Sequence, residues 1–297
     1  MSNQEQTQRD RDLTEALRSG RTARGSAKLL SVLGGVLVIL GVIAGGALPL
    51  LIAGAALLAL GGWLGQKKAA TVRQQIGDTV GLDALRAVFD EVEFAQDRHL
   101  SDSVPGESGI PLPRYTDCTG GEYAHCFYRG RDVELSSLTL TERYELQNEE
   151  TNQWETRETV AWTGQWLVCR TGAAQPADLM LVPCGKLDRL FRTARIETGN
   201  EALDKRFTLT ADDAGAARRF LSPARAEHLL TLADTAGGGL SVRLRRDGTL
   251  HIAVQSGHGF FDPGKGRETA AALRDRFTRE LRWFADLLDV LCPAGTP

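Results

Sequence analysis

Cysteine and histidine are the residues of this chain best suited to nucleophilic chemistry, and one pair is adjacent. His125 directly precedes Cys126, and these residue types supply the base and the nucleophile of thiol enzymes. Neighbouring residues of a β-strand point to opposite faces, so adjacency in sequence does not place the two side chains together. Cys169, within WLVCR, is expected to pack as a small apolar residue. These patterns favour structural roles over a catalytic cysteine, and we assign no catalytic residue.

The spacing of the cysteines also argues against a zinc site. A structural zinc ion takes four ligands, usually including a closely spaced pair. Cys118 and Cys126 are eight positions apart, and Cys169 and Cys184 are also too far apart to form a zinc knuckle. With Cys292 the chain has five cysteines, an odd and sparse set that favours reduced thiols over a disulfide framework. We therefore expect no metal ligands.

Motifs for phosphate or cofactor binding are not found in the sequence. There is no Gly-rich phosphate loop, no serine-centred elbow and no paired-carboxylate motif. The glycines 237–239 follow a predicted helix and precede a predicted strand, which is the reverse of a phosphate-binding turn. A net charge of −3 gives no reason to expect nucleic acid as a partner. We expect no cofactor.

The element with the strongest signal is an uncharged run of 37 residues, 29–65. As one straight helix it would be about 55 Å long, whereas the hydrocarbon layer of a bilayer is only about 30 Å thick. The sequence GGALP at 45–49 breaks the run, because two glycines loosen the backbone and Pro49 suits the first turn of a new helix. The run therefore predicts a two-helix transmembrane hairpin over residues 29–66, with the lipid bilayer as its partner.

Glycine spacing predicts how the two helices of this hairpin pack. Gly34 and Gly41 are seven residues apart, as are Gly54 and Gly61, so each pair lies on one face of its helix. Folding the run about its centre places Gly41 opposite Gly54 and Gly34 opposite Gly61. Small residues let helices approach closely in lipid. The alternative is chance, since the run contains nine glycines.

The charges that flank the run predict its orientation. Basic residues precede it and follow it, whereas the central turn is uncharged, so both termini are expected in the cytoplasm. Trp63, Lys67 and Lys68 are expected at the membrane interface. A cleaved signal peptide is the alternative, because small residues at 44–47 resemble a cleavage site. The acidic residues of the polar segment that precedes the run are unusual for a signal peptide.

The polar remainder is predicted to be an α+β domain with a mostly antiparallel sheet. Residues 1–28 are a polar N-terminal segment, 67–112 contain juxtamembrane helices and a linker, and 113–292 form the domain. Alternating apolar residues predict strands at 133–147 and 154–170, and a second hairpin turns at Asp247–Gly248. Ser222–Pro223 begins a helix between the hairpins.

A long C-terminal helix closes the predicted domain. Apolar residues recur at steps of three and four over about 267–291: Leu273, Phe277, Leu281, Phe284, Leu288 and Leu291. Its polar face carries both signs of charge, which favours packing on the sheet over lying on a membrane. Before this helix, Phe260 and Phe261 either anchor a loop to the core, which we favour, or dock a partner.

Several stretches of the chain resemble one family of bacterial proteins. They are GGEYAHCFYRG, WTGQWLVCR, the run from Phe207 through Leu221, and the final hairpin LSVRLRRDGTLHIAV. Together they resemble the bacterial membrane protein family labelled domain of unknown function 3137, over about residues 110–262. The resemblance implies the architecture above and a location in a membrane. It implies no activity, because the family has no assigned active site.

These observations favour a membrane-anchored, non-enzymatic scaffold or binding module on the cytoplasmic face of the inner membrane. The motivation is an apolar anchor beside a domain without a chemical motif. A membrane-tethered enzyme of unrecognised type is one alternative, and a module that binds lipid or a small ligand is another. A protein partner is expected but not identified, and homo-oligomerisation is left open.

Overall fold

The computed structural model describes residues 11, 14, 15, 29, 31–40, 42, 43, 47–147, 152–185, 195–264 and 268–292. Two compact units are distinguished within the chain. One comprises Met1–Asp83 with Phe261–Arg276, and the other comprises Ala84–Phe260 with Phe277–Pro297. The larger unit contains the sheet, and the smaller contains the glycine-rich run.

The larger unit is built on one antiparallel sheet. The described residues contribute eight strands to it: β1 Asp90–Ala95, β2 Asp117–Tyr128, β3 Arg131–Gln147, β4 Trp154–Arg170, β5 Leu179–Pro183, β6 Phe207–Ala211, β7 Gly239–Leu244 and β8 Thr249–Gln255. Their order is β1-β2-β3-β4-β8-β7-β5-β6, and every neighbouring pair is antiparallel. The predicted mostly antiparallel α+β domain is confirmed.

Both predicted hairpins are present, but the turn of the second differs in detail. β3 and β4 pair from Asp132 opposite Arg170 to Gln147 opposite Trp154, close to the predicted bounds. In the second hairpin the amide of Gly248 donates to the carbonyl of Arg245, and Gly248 has a φ of 86°. Asp247 is not among the residues with positive φ, so the connection is a wider loop closed by a left-handed glycine rather than a two-residue type I′ turn.

Seven α-helices with defined bounds, and one π-helix at Gly77–Gly81, accompany the strands in the described residues. The α-helices are α1 Leu48–Ile76, α2 Leu82–Arg86, α3 Ser103–Ser108, α4 Glu201–Arg206, α5 Ala214–Phe220, α6 Pro223–Thr235 and α7 Ala270–Leu291. Ser222 is the N-cap of α6 and Pro223 its first residue, as predicted. All six apolar positions predicted for α7 are buried, because a stripe at steps of three and four forms one continuous apolar face.

The two faces of the central strands are covered by different parts of the larger unit. Trp162, Trp166 and Val168 of β4 lie on one face, in a core cluster with Leu100 and Ile110 from the segment between β1 and β2. Residues 101–113 therefore contribute to the core, although their prolines and glycines predict a linker or irregular loop. The sheet begins at Asp90, earlier than the predicted domain start at residue 113.

The opposite face of the sheet is almost entirely apolar where β4, β8 and β7 meet. Leu167 of β4 is directly opposite Ile252 of β8, and Ile252 is opposite Val242 of β7. All three side chains are buried. Gln165 and Val254 on this face line a cavity with Trp283 and Phe284 of α7, so α7 packs on the sheet, as predicted.

The smaller unit contains two helical stretches of the glycine-rich run, residues 31–40 and α1. A Cβ atom on Gly34 would lie 2.8 Å from the carbonyl oxygen of Gly54, so the two backbones are in close contact. Gly34 thus faces Gly54 rather than Gly61. The predicted and the observed partner of Gly34 are seven residues apart in the second helix, or about two helical turns, so Gly34 faces a glycine in either arrangement. Gly41 lies outside the described residues.

α1 begins beside Pro49, as predicted, and continues to Ile76 instead of ending near residue 65. Large apolar side chains on both stretches are exposed, including Val32, Ile39, Leu48 and Ile52, which are 59–67% accessible. In the part of the chain that the structure describes, no helix combines the length and apolar character needed to cross a membrane.

Candidate ligand-binding site

The residues with the most obvious chemical potential have structural roles. Cys126 is buried, and its thiol lies 3.6 Å from the carbonyl oxygen of Val133. Burial raises the pKa of the Cys126 thiol, which disfavours the thiolate needed for nucleophilic attack. His125 instead pairs with Asp132, its Nε2 lying 3.1 Å from Oδ1. All five cysteines are free.

Phe260 and Phe261 anchor the structure, as the sequence favoured. They are only 1% and 2% exposed. The ring of Phe260 lies 5.1 Å from that of Phe284, centroid to centroid. Trp63, Lys67 and Lys68, predicted at a membrane interface, lie within α1, but their side chains are outside the described residues.

A groove with a volume of about 590 Å³ lies between α6 and α7. Its walls include Arg225, His228 and Leu232 of α6 and Asp286, Asp289 and Val290 of α7. The two helices are held together at one end of the groove, where the indole Nε1 of Trp283 donates to the carbonyl oxygen of Leu232 over 2.9 Å. A volume in this range suits a small organic ligand.

Arg225 is the principal charged group on the α6 wall of the groove. Its Nη1 donates to the carbonyl oxygen of Phe220 over 2.6 Å, and its guanidinium carbon lies 4.3 Å from the centroid of the Phe220 ring. Burial lowers the pKa of Arg225. Among the residues that the structure describes, no carboxylate lies within 4.0 Å of this guanidinium. The groove therefore contains a half-buried cation without an anionic partner.

The opposite wall carries a carboxylate that is already bonded. Asp289 accepts a hydrogen bond from the Tyr128 hydroxyl at 2.9 Å through Oδ2, and one from Arg129 at 2.9 Å through Oδ1. Both of its oxygens thus connect α7 to the turn between β2 and β3. Asp289 consequently contributes to the shape of the groove, whereas Arg225 has donor capacity left for a ligand.

A second cavity of about 390 Å³ lies between α7 and the sheet. Two of its polar groups are bonded to protein: Gln165 Nε2 donates to the carbonyl oxygen of Gly259 at 3.3 Å, and Trp283 Nε1 is bonded to Leu232. His258 Nδ1 also lies 2.8 Å from the carbonyl oxygen of Gly259. These bonds indicate a structural role, so the α6–α7 groove is the better candidate.

Sequence reasoning missed Arg225 because nothing in its local pattern distinguishes it. The stretch PARAEHLLTLADT contains charged residues that are typical of a solvated helix face. The informative signal would have been aromatic Phe220 five positions earlier, but a cation–aromatic contact across a turn cannot be read from spacing alone.

Comparison with known proteins gives two findings and one negative result. The crystal structure of the mycobacterial trehalose monomycolate transport factor A, TtfA, is similar with a TM-score of 0.38 and 14% sequence identity, covering 74% of this chain and 98% of that chain. No curated protein matches. Residues 162–292, which contain both walls of the α6–α7 groove, match the family described as protein of unknown function (DUF3137). This match confirms the label domain of unknown function 3137 that the sequence suggested.

Proposed function

We propose that this protein is a non-enzymatic binding module whose α6–α7 groove takes an amphipathic ligand with one anionic group. The observation that carries the proposal is Arg225, a half-buried guanidinium that has no carboxylate partner among the described residues. A cation removed from water without a counter-ion is costly. An incoming carboxylate or phosphate would recover part of that cost through charge-assisted hydrogen bonds.

The rest of the groove suits an apolar stem. Leu232 of α6 and Val290 of α7 contribute aliphatic surface on opposite walls. Ligand sites in proteins are mostly apolar with a few placed polar groups, and volumes of about 300–1,000 Å³ are usual. A short acyl chain with an anionic head therefore matches both the shape and the charge of the groove.

A binding role is favoured over catalysis because two reactive groups at or near the groove, Asp289 and Cys292, are respectively bonded and protonated. Asp289 is bonded through both oxygens. Cys292, which follows α7, interacts electrostatically with Arg225 of α6. Burial raises the pKa of the Cys292 thiol to about 11, so this residue is protonated at neutral pH.

Binding of two twelve-carbon probes tests the proposal. Dodecanoate and uncharged dodecanol share an apolar stem and differ in the head group, so their affinities measured by calorimetry isolate the anionic contact. We expect the full-length protein to prefer dodecanoate by about tenfold to 100-fold, the usual worth of a hydrogen bond to a charged group. Arg225→Met should remove the preference and keep dodecanol binding. Dodecyl phosphate distinguishes a phosphate-binding site from a carboxylate-binding one.

A matched control is Arg219→Met on α5, because Arg219 is exposed and outside the groove. It should bind dodecanoate as the unaltered protein does. The proposal fails if neither probe binds, or if Arg225→Met retains the full preference for the charged head.

We further propose that residues 29–65 anchor this module in a bilayer with both termini in the cytoplasm. Support comes from the uncharged run and its basic flanks, from the backbone contact between Gly34 and Gly54, and from the exposed apolar side chains on both helical stretches. Trp63, Lys67 and Lys68 would then lie at the interface. The site of lipid contact is thus proposed on a different unit from the groove.

Reporter fusions after Pro297 test the anchoring. One reporter is active only inside the cytoplasm and the other only outside. An inside signal, together with recovery of the chain in alkali-washed membranes, is expected. An outside signal contradicts the proposed orientation, and a chain released by alkali contradicts the anchor and favours a protein partner for the exposed apolar surface.

A further inference from the structure

Three residues with metal-binding side chains meet at one edge of the sheet. His99 and Asp102 lie between β1 and α3, and Cys118 is the second residue of β2. A ring nitrogen of His99, a carboxylate oxygen of Asp102 and the sulfur of Cys118 all lie within 4.8 Å of one another. The spacing of the cysteines does not predict this group, because two of its members are not cysteines and the third is distant in sequence.

One distance within this group, that between His99 and Asp102, is close to that of a tetrahedral metal site. His99 Nδ1 lies 3.6 Å from Asp102 Oδ1. The same nitrogen lies 2.7 Å from the carbonyl oxygen of Leu100, to which it donates its proton in this conformation. Ligands of a tetrahedral zinc ion are about 3.3–3.8 Å apart, given metal–ligand bonds of about 2.0–2.3 Å. The Asp102 side chain is 71% exposed, so it can rotate to shorten the remaining distances. Metal binding therefore requires Asp102 to rotate and the His99 ring to release the Leu100 carbonyl oxygen, so that a ring nitrogen presents its lone pair.

The backbone that holds His99 is fixed by β2. The amide of Glu122 donates to the carbonyl oxygen of Gln96 over 2.9 Å, and that of Tyr123 donates to Arg98 over 3.1 Å. Gly120 permits this close approach, because a Cβ there would lie 2.9 Å from the Cβ of His99. A ligand held by the main chain in this way has little entropy to lose on binding metal.

Cys118 is held from the other side by the core. It is directly opposite Leu140 in the β2–β3 ladder. It also packs, with Tyr115, against the cluster that contains Trp162 and Trp166. The sulfur thus has an apolar wall behind it and a histidine and a carboxylate in front of it, which is the half-buried setting of a metal ligand rather than of a core thiol.

We propose that His99, Asp102 and Cys118 bind a zinc ion, with water in the fourth position. The donor set decides the metal, since imidazole, thiolate and carboxylate together suit Zn²⁺, whereas Mg²⁺ and Ca²⁺ take oxygen donors. Three protein ligands and one open position distinguish such a site from a closed structural one. Binding displaces the thiol proton, so it is accompanied by proton release.

Metal titration of the full-length chain after chelator treatment tests the site. Calorimetry with ZnCl₂ is expected to give one zinc ion per chain. Co²⁺ serves as a spectroscopic probe, because a cobalt–thiolate bond gives a near-ultraviolet charge-transfer band. His99→Ala and Cys118→Ser should each weaken zinc binding by at least about 100-fold, more than the tenfold to 100-fold typical of an outer-shell change.

Cys184→Ser is the matched control. Cys184 is also half-buried, but its sulfur lies 3.6 Å from the carbonyl oxygen of Asp204, away from this group. It should retain zinc affinity and the cobalt–thiolate band, which Cys118→Ser should lose. Circular dichroism confirms that each variant is folded. No zinc bound at micromolar concentration, or unchanged binding in His99→Ala and Cys118→Ser, refutes the site.

Discussion

The hydroxyl of Tyr128 donates a hydrogen bond of 2.9 Å to Oδ2 of Asp289, a residue 161 positions further along the chain. This bond joins the end of β2 to α7. Burial raises the pKa of Tyr128, and the hydrogen bond to Asp289 raises it further. The wall of the α6–α7 groove therefore depends on a contact between the first hairpin and the last helix.

Removing this hydrogen bond should lower stability measurably. Tyr128→Phe deletes the donor and keeps the ring that packs edge-on against Phe89. We expect the free energy of unfolding to fall by about 1.5–3 kcal/mol, the usual range for a hydrogen bond to a charged group. Urea denaturation measures it. Tyr144→Phe on the exposed end of β3 is the control and should change stability by less than about 0.5 kcal/mol.

The bond between Trp283 and Leu232 should determine how firmly α6 is held against α7. Trp283→Phe removes the Nε1 donor, leaves the Leu232 carbonyl without this partner and is expected to cost about 1–2 kcal/mol. Trp154→Phe is a matched control, because Trp154 is 67% exposed. Equal unfolding midpoints for the two variants would contradict a structural role for the indole N–H.

Periodicity predicted the parts of the fold that depend on one face of one element. The six apolar positions of α7 from Leu273 to Leu291 are buried, because an apolar stripe along one face of a helix determines which face packs on the core. The pairing of β3 with β4 could also be predicted, because the alternation of apolar and polar residues determines which side chains face the core. By contrast, β1 was not predicted: residues 67–112 were expected to contain helices and a linker, whereas the chain forms a strand from Asp90.

The candidate sites were not predictable because their members come from different elements. Arg225 and Asp289 are brought together only when α6 and α7 pack side by side. Cys118 meets His99 only because β1 pairs with β2, and that pairing contains a bulge between Asp90 and Glu93. Side-chain chemistry was visible in the sequence, but the distances depend on tertiary contacts that no local pattern encodes.

His251 should make stability depend on pH. It is 5% exposed, and burial lowers its pKa to about 4; Arg245, Arg170 and Arg243 also lower it, and Asp247 opposes them. Its pKa in the unfolded chain is about 6.5. Between these values the unfolded state binds more protons than the folded state, so stability rises with pH and is lost as pH falls from about 6.5 towards 4.

The measurement is the free energy of unfolding at pH 6.5 and pH 5 for the natural protein and His251→Leu. From pH 6.5 to 5 the natural protein should lose up to about 2 kcal/mol more than the variant, which cannot take up this proton. His228→Leu, at an exposed position on α6, is the control and should follow the natural protein. Parallel pH profiles for the natural protein and His251→Leu would show that His251 does not cause the effect.

Two glycines of the run 29–65 should respond in opposite directions to the same substitution. A Cβ on Gly54 would lie 2.7 Å from Val38 Cγ2 and 2.8 Å from the carbonyl oxygen of Gly34, so Gly54→Ala must push the helices apart at a cost of about 1–3 kcal/mol. A Cβ on Gly35 would meet no atom within 4 Å, so Gly35→Ala should stabilise its helix by about 0.5–1 kcal/mol.

Hydrogen exchange over residues 31–60 of the full-length chain in detergent micelles distinguishes the two outcomes. Amides of both helical stretches should exchange about fivefold to 100-fold faster in Gly54→Ala, because exchange through local opening follows its free energy. In Gly35→Ala they should exchange as slowly as in the natural protein or more slowly. Faster exchange in both variants would mean that the backbone contact between Gly34 and Gly54 does not hold the helices together, since only Gly54 lies in that contact.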